Sequence, residues 1–180
     1  MTDDIATMLE TRSGLVISVR QAGPDDAPIL VKLFHNVSPE DLRFRFLTGL
    51  NEVGAEQIKA MTQADHSTTD SYIAFAPDGE AVATGMLACD MKNKRGEVAI
   101  SVHASHHKQG IGWTLLDFLA DRATARGLKV IESIENRGNR QAIEVERDSG
   151  FSFREYPGDP TLVLVTVSYT HLRAHETRED

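Results

Sequence analysis

Between Val102 and Trp113 the chain reads VHASHHKQGIGW. Three histidines, one lysine and two glycines fall within His103 to Trp113. Three kinds of chemistry use such residues. A metal site needs ligands that converge from more than one segment. His103, His106 and His107 share one short turn, and no second ligand cluster accompanies them, so no metal is expected. A phosphate loop of the form G-x-x-x-x-G-K-[ST] is absent. The third chemistry is an anion cradle made by backbone N–H groups at the mouth of a helix. Gly110 and Gly112 permit close backbone approach, and the helix that follows adds the positive end of its dipole. His107 and Lys108 add positive charge at the rim, and His103 is expected to pack at the end of the preceding strand.

The elements around this turn must hold it in place. EVAISV, from Glu97 to Val102, alternates as a strand and leads into the turn. IGWTLLDFLADRATARG follows as a helix, with Trp113, Leu116, Leu119 and Ala120 on one stripe and Gly127 as the stop. Before them, DSYIAFA and EAVATGMLACD are two strands joined by the turn signal Pro77-Asp78-Gly79. SGLVISVRQA is an opening strand, and PDDAPILVKLFHNV is a helix with Asp25 and Asp26 near its start. SPEDLRFRFL carries a helix start, with Ser38 as cap and Pro39 at the first helical position. NEVGAEQIKAM reads as a further helix. After the central helix come a strand (LKVIESI), a helix (NRQAIEVERDSG) and two strands (FSFREY and TLVLVTV). That order predicts a single mixed α/β domain.

Twenty-seven residues after Gly112 the chain reads NRQAIEVERDSGF. The pair of motifs resembles the signature of the GNAT superfamily of acyl-CoA-dependent N-acyltransferases. The first motif, [RQ]-x-x-G-x-[GA], matches His107-Lys108-Gln109-Gly110-Ile111-Gly112. The second, N-x-x-A-x-x-[LV]-Y-x-x-x-G-F, matches Asn139, Ala142, Val145, Gly150 and Phe151, with Glu146 in the tyrosine position. The resemblance runs from about Leu15 to Val167. Two further segments, SPEDLRFRFL and GEVAISV, are similar to the GNAT domain of bacterial Pat-type protein-lysine acetyltransferases.

The resemblance implies an α/β (α+β) fold. Its central mixed sheet is mostly antiparallel, has about seven strands flanked by helices, and splays at the acyl-CoA site. It implies acetyl-CoA as cosubstrate and direct transfer of the acetyl group to a primary amine, foremost a protein lysine. A small-molecule amine is the alternative acceptor, and a non-catalytic acyl-CoA sensor is the alternative class. Glu97 maps to the family's general base. Backbone groups of Ile100 and Val102 map to the pantetheine contacts. His107, Lys108, Gln109, Gly110, Ile111, Gly112 and Trp113 map to the diphosphate cradle, and Asn139 to a polar cofactor contact. Two departures matter. His107 stands where arginine or glutamine is usual, so charge there varies with pH. Glu146 replaces the tyrosine that protonates the departing thiolate in many members, which leaves that role unassigned; Tyr156 is expected to be structural.

Composition agrees with this reading. Nineteen basic against twenty-seven acidic residues give a net charge of −8, which argues against general nucleic-acid affinity. No apolar run reaches the ~20 residues of a membrane helix. The acidic opening MTDDIATMLETRSG carries no secretory pattern, and the lone Cys89 fits a reducing, cytoplasmic setting. A monomer or a homodimer is expected. The domain is read as residues 15–166, after an N-terminal extension over 1–14. Val167 to Thr177, VSYTHLRAHET, resembles a translated transposase-type sequencing adapter. Residues 167–180 are therefore read as foreign to the domain, including the i, i+4 pair His171 and His175.

Overall fold

The computed structural model describes residues 5–38, 55–63, 67–136, 143 and 152–168. These form one mixed sheet of eight strands: β1 (Thr7–Glu10), β2 (Val16–Gln21), β3 (Thr69–Phe75), β4 (Ala81–Asp90), β5 (Arg95–Val102), β6 (Val130–Asn136), β7 (Ser152–Glu155) and β8 (Leu162–Ser168). Their order across the sheet is β1-β2-β3-β4-β5-β6-β8-β7. Three helices accompany it: α1 (Ala27–His35), α2 (Ala55–Thr62) and α3 (Ile111–Ala125). The expected helix in SPEDLRFRFL lies outside the described residues, as do Asn139 and Glu146. Of NRQAIEVERDSG only Ile143 is described, and it is helical.

The sheet has one strand more than the sequence pattern suggests. β1 lies within the segment read as an N-terminal extension and pairs antiparallel with β2, from Thr7 opposite Val19 to Glu10 opposite Val16. At the other end, β8 runs two residues into the adapter-like segment, where Val167 and Ser168 pair with Ile131 and Val130.

Each local signal has its physical counterpart. At the Pro77-Asp78-Gly79 turn, Gly79 adopts φ +88° and its N–H donates to Ala76 O at 2.9 Å. α3 ends where Gly127 takes φ +80°; Leu128 N–H then reaches back to Ala123 O at 3.0 Å. That left-handed residue satisfies carbonyls the helix would otherwise leave open. Arg126, the residue before it, clips this end of the helix to β3. Its guanidinium donates twice to Asp70, at 2.8 Å each, and once to Ser67 O at 3.0 Å.

The sheet separates two cores. On one face α3 packs over β4 and β5, burying Ile111, Leu115, Leu119 and Ala123 against Ala83, Leu87, Val98 and Ile131. Each fully buried Leu or Ile contributes roughly 1.5–3 kcal/mol. On the other face Leu30 and Phe34 of α1 and Ile58 and Met61 of α2 pack with Ile73, alongside Phe75 and Met86. Trp113, expected on the buried stripe, is only half-buried.

Candidate functional site

β5 carries the feature on which the site is built. It pairs antiparallel with β4 along its whole length, from Ala83 opposite Val102 to Asp90 opposite Arg95. Its parallel pairing with β6 covers only Arg95, Gly96 and Glu97, opposite Val130, Ile131 and Glu132. β6 stays with β8 as far as Asn136, so beyond Glu97 the two strands part. The sheet forks there.

The fork leaves a row of backbone groups without a sheet partner on one side. Their identity follows from the two-residue period of a strand. His103 N–H donates to Val82 O at 2.8 Å, which orients His103 toward β4. Alternation then turns Ser101, Ala99 and Glu97 toward β4, and Val102, Ile100 and Val98 toward the open side. Gly96, next in that series, faces β6, as its pairing with Ile131 requires. Ile100 and Val102 thus have the orientation expected of them, and Val98 joins them. Val98 went unnoticed in the sequence because alternation alone does not reveal which neighbour is missing.

Glu97 is the last β5 residue paired with β6. Its side chain is exposed. Arg95, two residues earlier, pairs with Glu132 across the strands. Val98, Ile100 and Val102 direct their side chains to the α3 core. Alternation sends Glu97 to the opposite face, the face that α1 and α2 cover.

After β5 the chain makes a 3-10 turn over Ala104–His106. The His103 side chain caps it: Nδ1 accepts the N–H of Ser105 at 3.0 Å. An accepting Nδ1 carries no proton, so the proton sits on Nε2, 3.4 Å from Glu80. His103 is 7% exposed and therefore does pack at the strand end, but it also fastens the turn to the β3–β4 hairpin. Asn36, at the end of α1, holds the same turn by accepting the Ala104 N–H at 2.7 Å. His106 Nδ1–H donates to Gln109 Oε1 at 3.1 Å.

Two left-handed residues then bend the backbone into the helix: Lys108 at φ +66° and Gly110 at φ +81°. Gly110 is the N-cap of α3, and no side chain caps that end. The first-turn N–H groups of Ile111 and Gly112 are therefore turned toward an external acceptor. The space beside Gly112 is open. A Cβ there would meet nothing nearer than Val102 Cγ2, at 4.0 Å. His107 and Lys108 are exposed, while Ile111 is 1% exposed, so Ile111 offers its amide and not its side chain. The opening hairpin also reaches this loop. Ser13 Oγ donates to Gln109 O at 2.8 Å, and the Arg12 guanidinium lies 5.1 Å over the Trp113 ring. In the sequence this turn falls in the segment read as an N-terminal extension, because nothing local says what it packs against.

Cys89 lies beside Gly96 on β4 and is half-buried. Burial pushes its thiol above the ordinary value, which keeps it protonated at neutral pH. No group of three or more His, Cys, Asp or Glu arranged to hold a metal occurs among the described residues.

An uncapped helix mouth beside a forked strand suits an anionic ligand with an extended, amide-bearing arm. The sequence profile of the acetyltransferase (GNAT) family matches residues 37–151. The chain belongs to that family. A curated acetyltransferase of Pseudomonas aeruginosa is 22% identical to this GNAT chain over 154 residues, covering 84% of the chain and 83% of the relative. The crystal structure of the GNAT domain of S. lividans PAT matches with a TM-score of 0.82 and 23% identity, over 91% of this chain and 96% of that one. Spermidine N-acetyltransferase from Vibrio cholerae, solved with CoA and spermine, matches with a TM-score of 0.71 and 13% identity, over 87% and 98%. At these identities the structural matches speak for the fold. Among the described residues no helix is long and apolar enough to cross a membrane.

Proposed function

We propose that this GNAT protein transfers the acetyl group of acetyl-CoA to a primary amine in a ternary complex, and that the amine is a protein lysine. The observation that carries the reading is the fork: an open β5 edge leads from the helix mouth at Gly110–Trp113 to Glu97. The CoA bound in the V. cholerae relative supports the choice of cosubstrate.

Acetyl-CoA supplies an activated acyl carbon, and the protein supplies position and charge. The amides of the first turn of α3, from Ile111 to Trp113, receive the diphosphate, with His107, Lys108 and Gln109 at the rim. The open amides and carbonyls of Val98, Ile100 and Val102 take up the pantetheine arm as an added strand would. The Val98 N–H, first beyond the fork, faces the negative charge that builds on the thioester oxygen. Glu97 removes a proton from the incoming ammonium, because a lysine of pKa ~10.4 is otherwise almost wholly charged at neutral pH. The neutral nitrogen bonds to the acyl carbon, the tetrahedral species collapses with loss of the carbon–sulfur bond, and the proton the nitrogen then sheds is taken up by the departing CoA thiolate. The single cysteine, Cys89, is held as a thiol, which favours direct transfer over an acyl-cysteine route. Asn139, outside the described residues, is proposed as a further cofactor contact. In this reading residues 15–166 hold the catalytic fold, β1 adds a strand from the preceding segment, the adapter-like sequence is foreign apart from its pairing at Val167 and Ser168, and a lone protonated cysteine suits the cytoplasm.

The SPEDLRFRFL and GEVAISV segments support a protein lysine as acceptor through their similarity to Pat-type domains. Glu97→Gln should lower kcat by about 10²–10⁴ while the Kd for CoA stays unchanged. An unchanged kcat would remove Glu97 from the base role, and no turnover in the wild-type chain would leave only a CoA-binding module. A screen with labelled acetyl-CoA decides the acceptor: transfer to a lysine of an acyl-CoA synthetase supports the reading, and transfer only to free amines replaces it with a small-molecule acetyltransferase.

A further inference from the structure

We propose that Arg12, carried by the turn between β1 and β2, is a diphosphate-binding residue of the acyl-CoA site. The proposal rests on the acyl-CoA reading above and adds a wall to it from outside residues 37–151, which carry the family match.

The turn is rigid and docked. Thr11 N–H donates to Leu15 O at 2.8 Å, Gly14 N–H donates to Thr11 O at 2.9 Å, and Gly14 takes φ +86° to close the loop. Leu15 N–H donates to Thr11 Oγ1 at 3.2 Å, and that oxygen lies 2.9 Å from Ser13 Oγ. Ser13 Oγ then donates to Gln109 O at 2.8 Å, inside the anion loop. The contact continues at Gly110, where an added Cβ would stand 3.5 Å from both Arg12 N and Thr11 Cβ. The turn thus lies in van der Waals reach of Gly110, whose left-handed backbone bends the loop.

This docking sets the Arg12 guanidinium over Trp113, in the first turn of α3 and next to Gly112. An arginine stacked on an indole loses little further freedom when an anion arrives, and its fork of donors matches phosphate oxygens. The need for it is electrostatic. CoA carries several negative charges, whereas the chain carries a net −8. The amides at the helix mouth offer only partial charge, and Lys108 and His107 lie exposed at the rim. The His103–Trp113 segment itself holds no acidic residue.

The test is calorimetry on the whole chain with CoA and with dephospho-CoA, which keeps the diphosphate and lacks the 3′-phosphate. Arg12→Gln should weaken both ligands by about tenfold or more, with a shallower salt dependence of binding, and Arg12→Lys should recover part of the loss. Loss of the 1H NMR fold signature in Arg12→Gln would shift the comparison to Arg12→Lys, in which the charge persists without the planar fork; weaker binding of both ligands is again the expected result. Unchanged affinity in a folded variant overturns the proposal, and so does a loss confined to CoA, which would mark a 3′-phosphate contact. Wild-type protein that binds neither ligand would instead overturn the acyl-CoA reading itself.

Discussion

Gly110 and Gly112 are glycines for different reasons. Gly110 needs the left-handed backbone at φ +81°. Gly112 sits in ordinary helical backbone beside open space, where a side chain would meet no protein atom closer than 4.0 Å. Substitution there separates ligand binding from folding. Gly112→Asp should leave the fold intact or slightly firmer, by about 0.3–1 kcal/mol, because an anion suits the first turn of a helix. The same carboxylate should weaken CoA by about 100-fold through like-charge contact. Parallel thermal melts and calorimetric titrations check both signs. The two glycines were legible in the sequence, as was Glu97 by analogy. The geometry that distinguishes them was not. The burial of Ile111, the protonated Nε2 of His103 and the exposure of Glu97 all depend on neighbours distant along the chain.

α3 and the β3–β4 hairpin could be read directly, because their periodicity and their stop residues, Gly127 and Gly79, are local signals. β1 could not. TMLE is four residues long, and Met, Leu and Glu favour helix. Pairing with β2 decides it. The fork was equally silent, since Glu97–Val102 alternates in the same way whether or not β6 lies alongside. Gly96 lies one residue before Glu97, the last point at which β4, β5 and β6 run together. A Cβ on Gly96 would stand 2.8 Å from Leu87 Cδ1 and 3.0 Å from Leu128 Cδ1, and both leucines are buried. Gly96→Val should therefore destabilise the protein by about 1–3 kcal/mol through overpacking, read as a lower urea midpoint with an unchanged m-value.

The two cores on opposite faces of the sheet are tied at their margins by charged clips. Arg126 and Asp70 join α3 to β3, while Arg20 donates to Asp26 at 2.7 and 2.9 Å and joins β2 to the start of α1. The Arg20 hydrogen bonds hold the Asp26 carboxyl below its ordinary value despite burial, which acts the other way. A carboxyl depressed in the folded state stabilises above its unfolded pKa and loses that contribution as pH falls through the folded value. Asp26→Asn should therefore cost about 2 kcal/mol at pH 7, and its deficit should shrink as pH falls below the ordinary carboxylate range. Urea titrations of both proteins across that range measure it. The fork has a further bearing on the molecule as a whole. Bare strand edges invite other chains to add to a sheet, and proteins commonly shield them with charge, proline or bulges. Here the bare edge, Val98 to Val102, lies inside the sheet between β5 and β6, and β1 and β7 form the outer margins. The protein thus keeps an adhesive backbone for a slender guest while denying it to passing polypeptides, so that appetite for ligand and resistance to aggregation do not conflict.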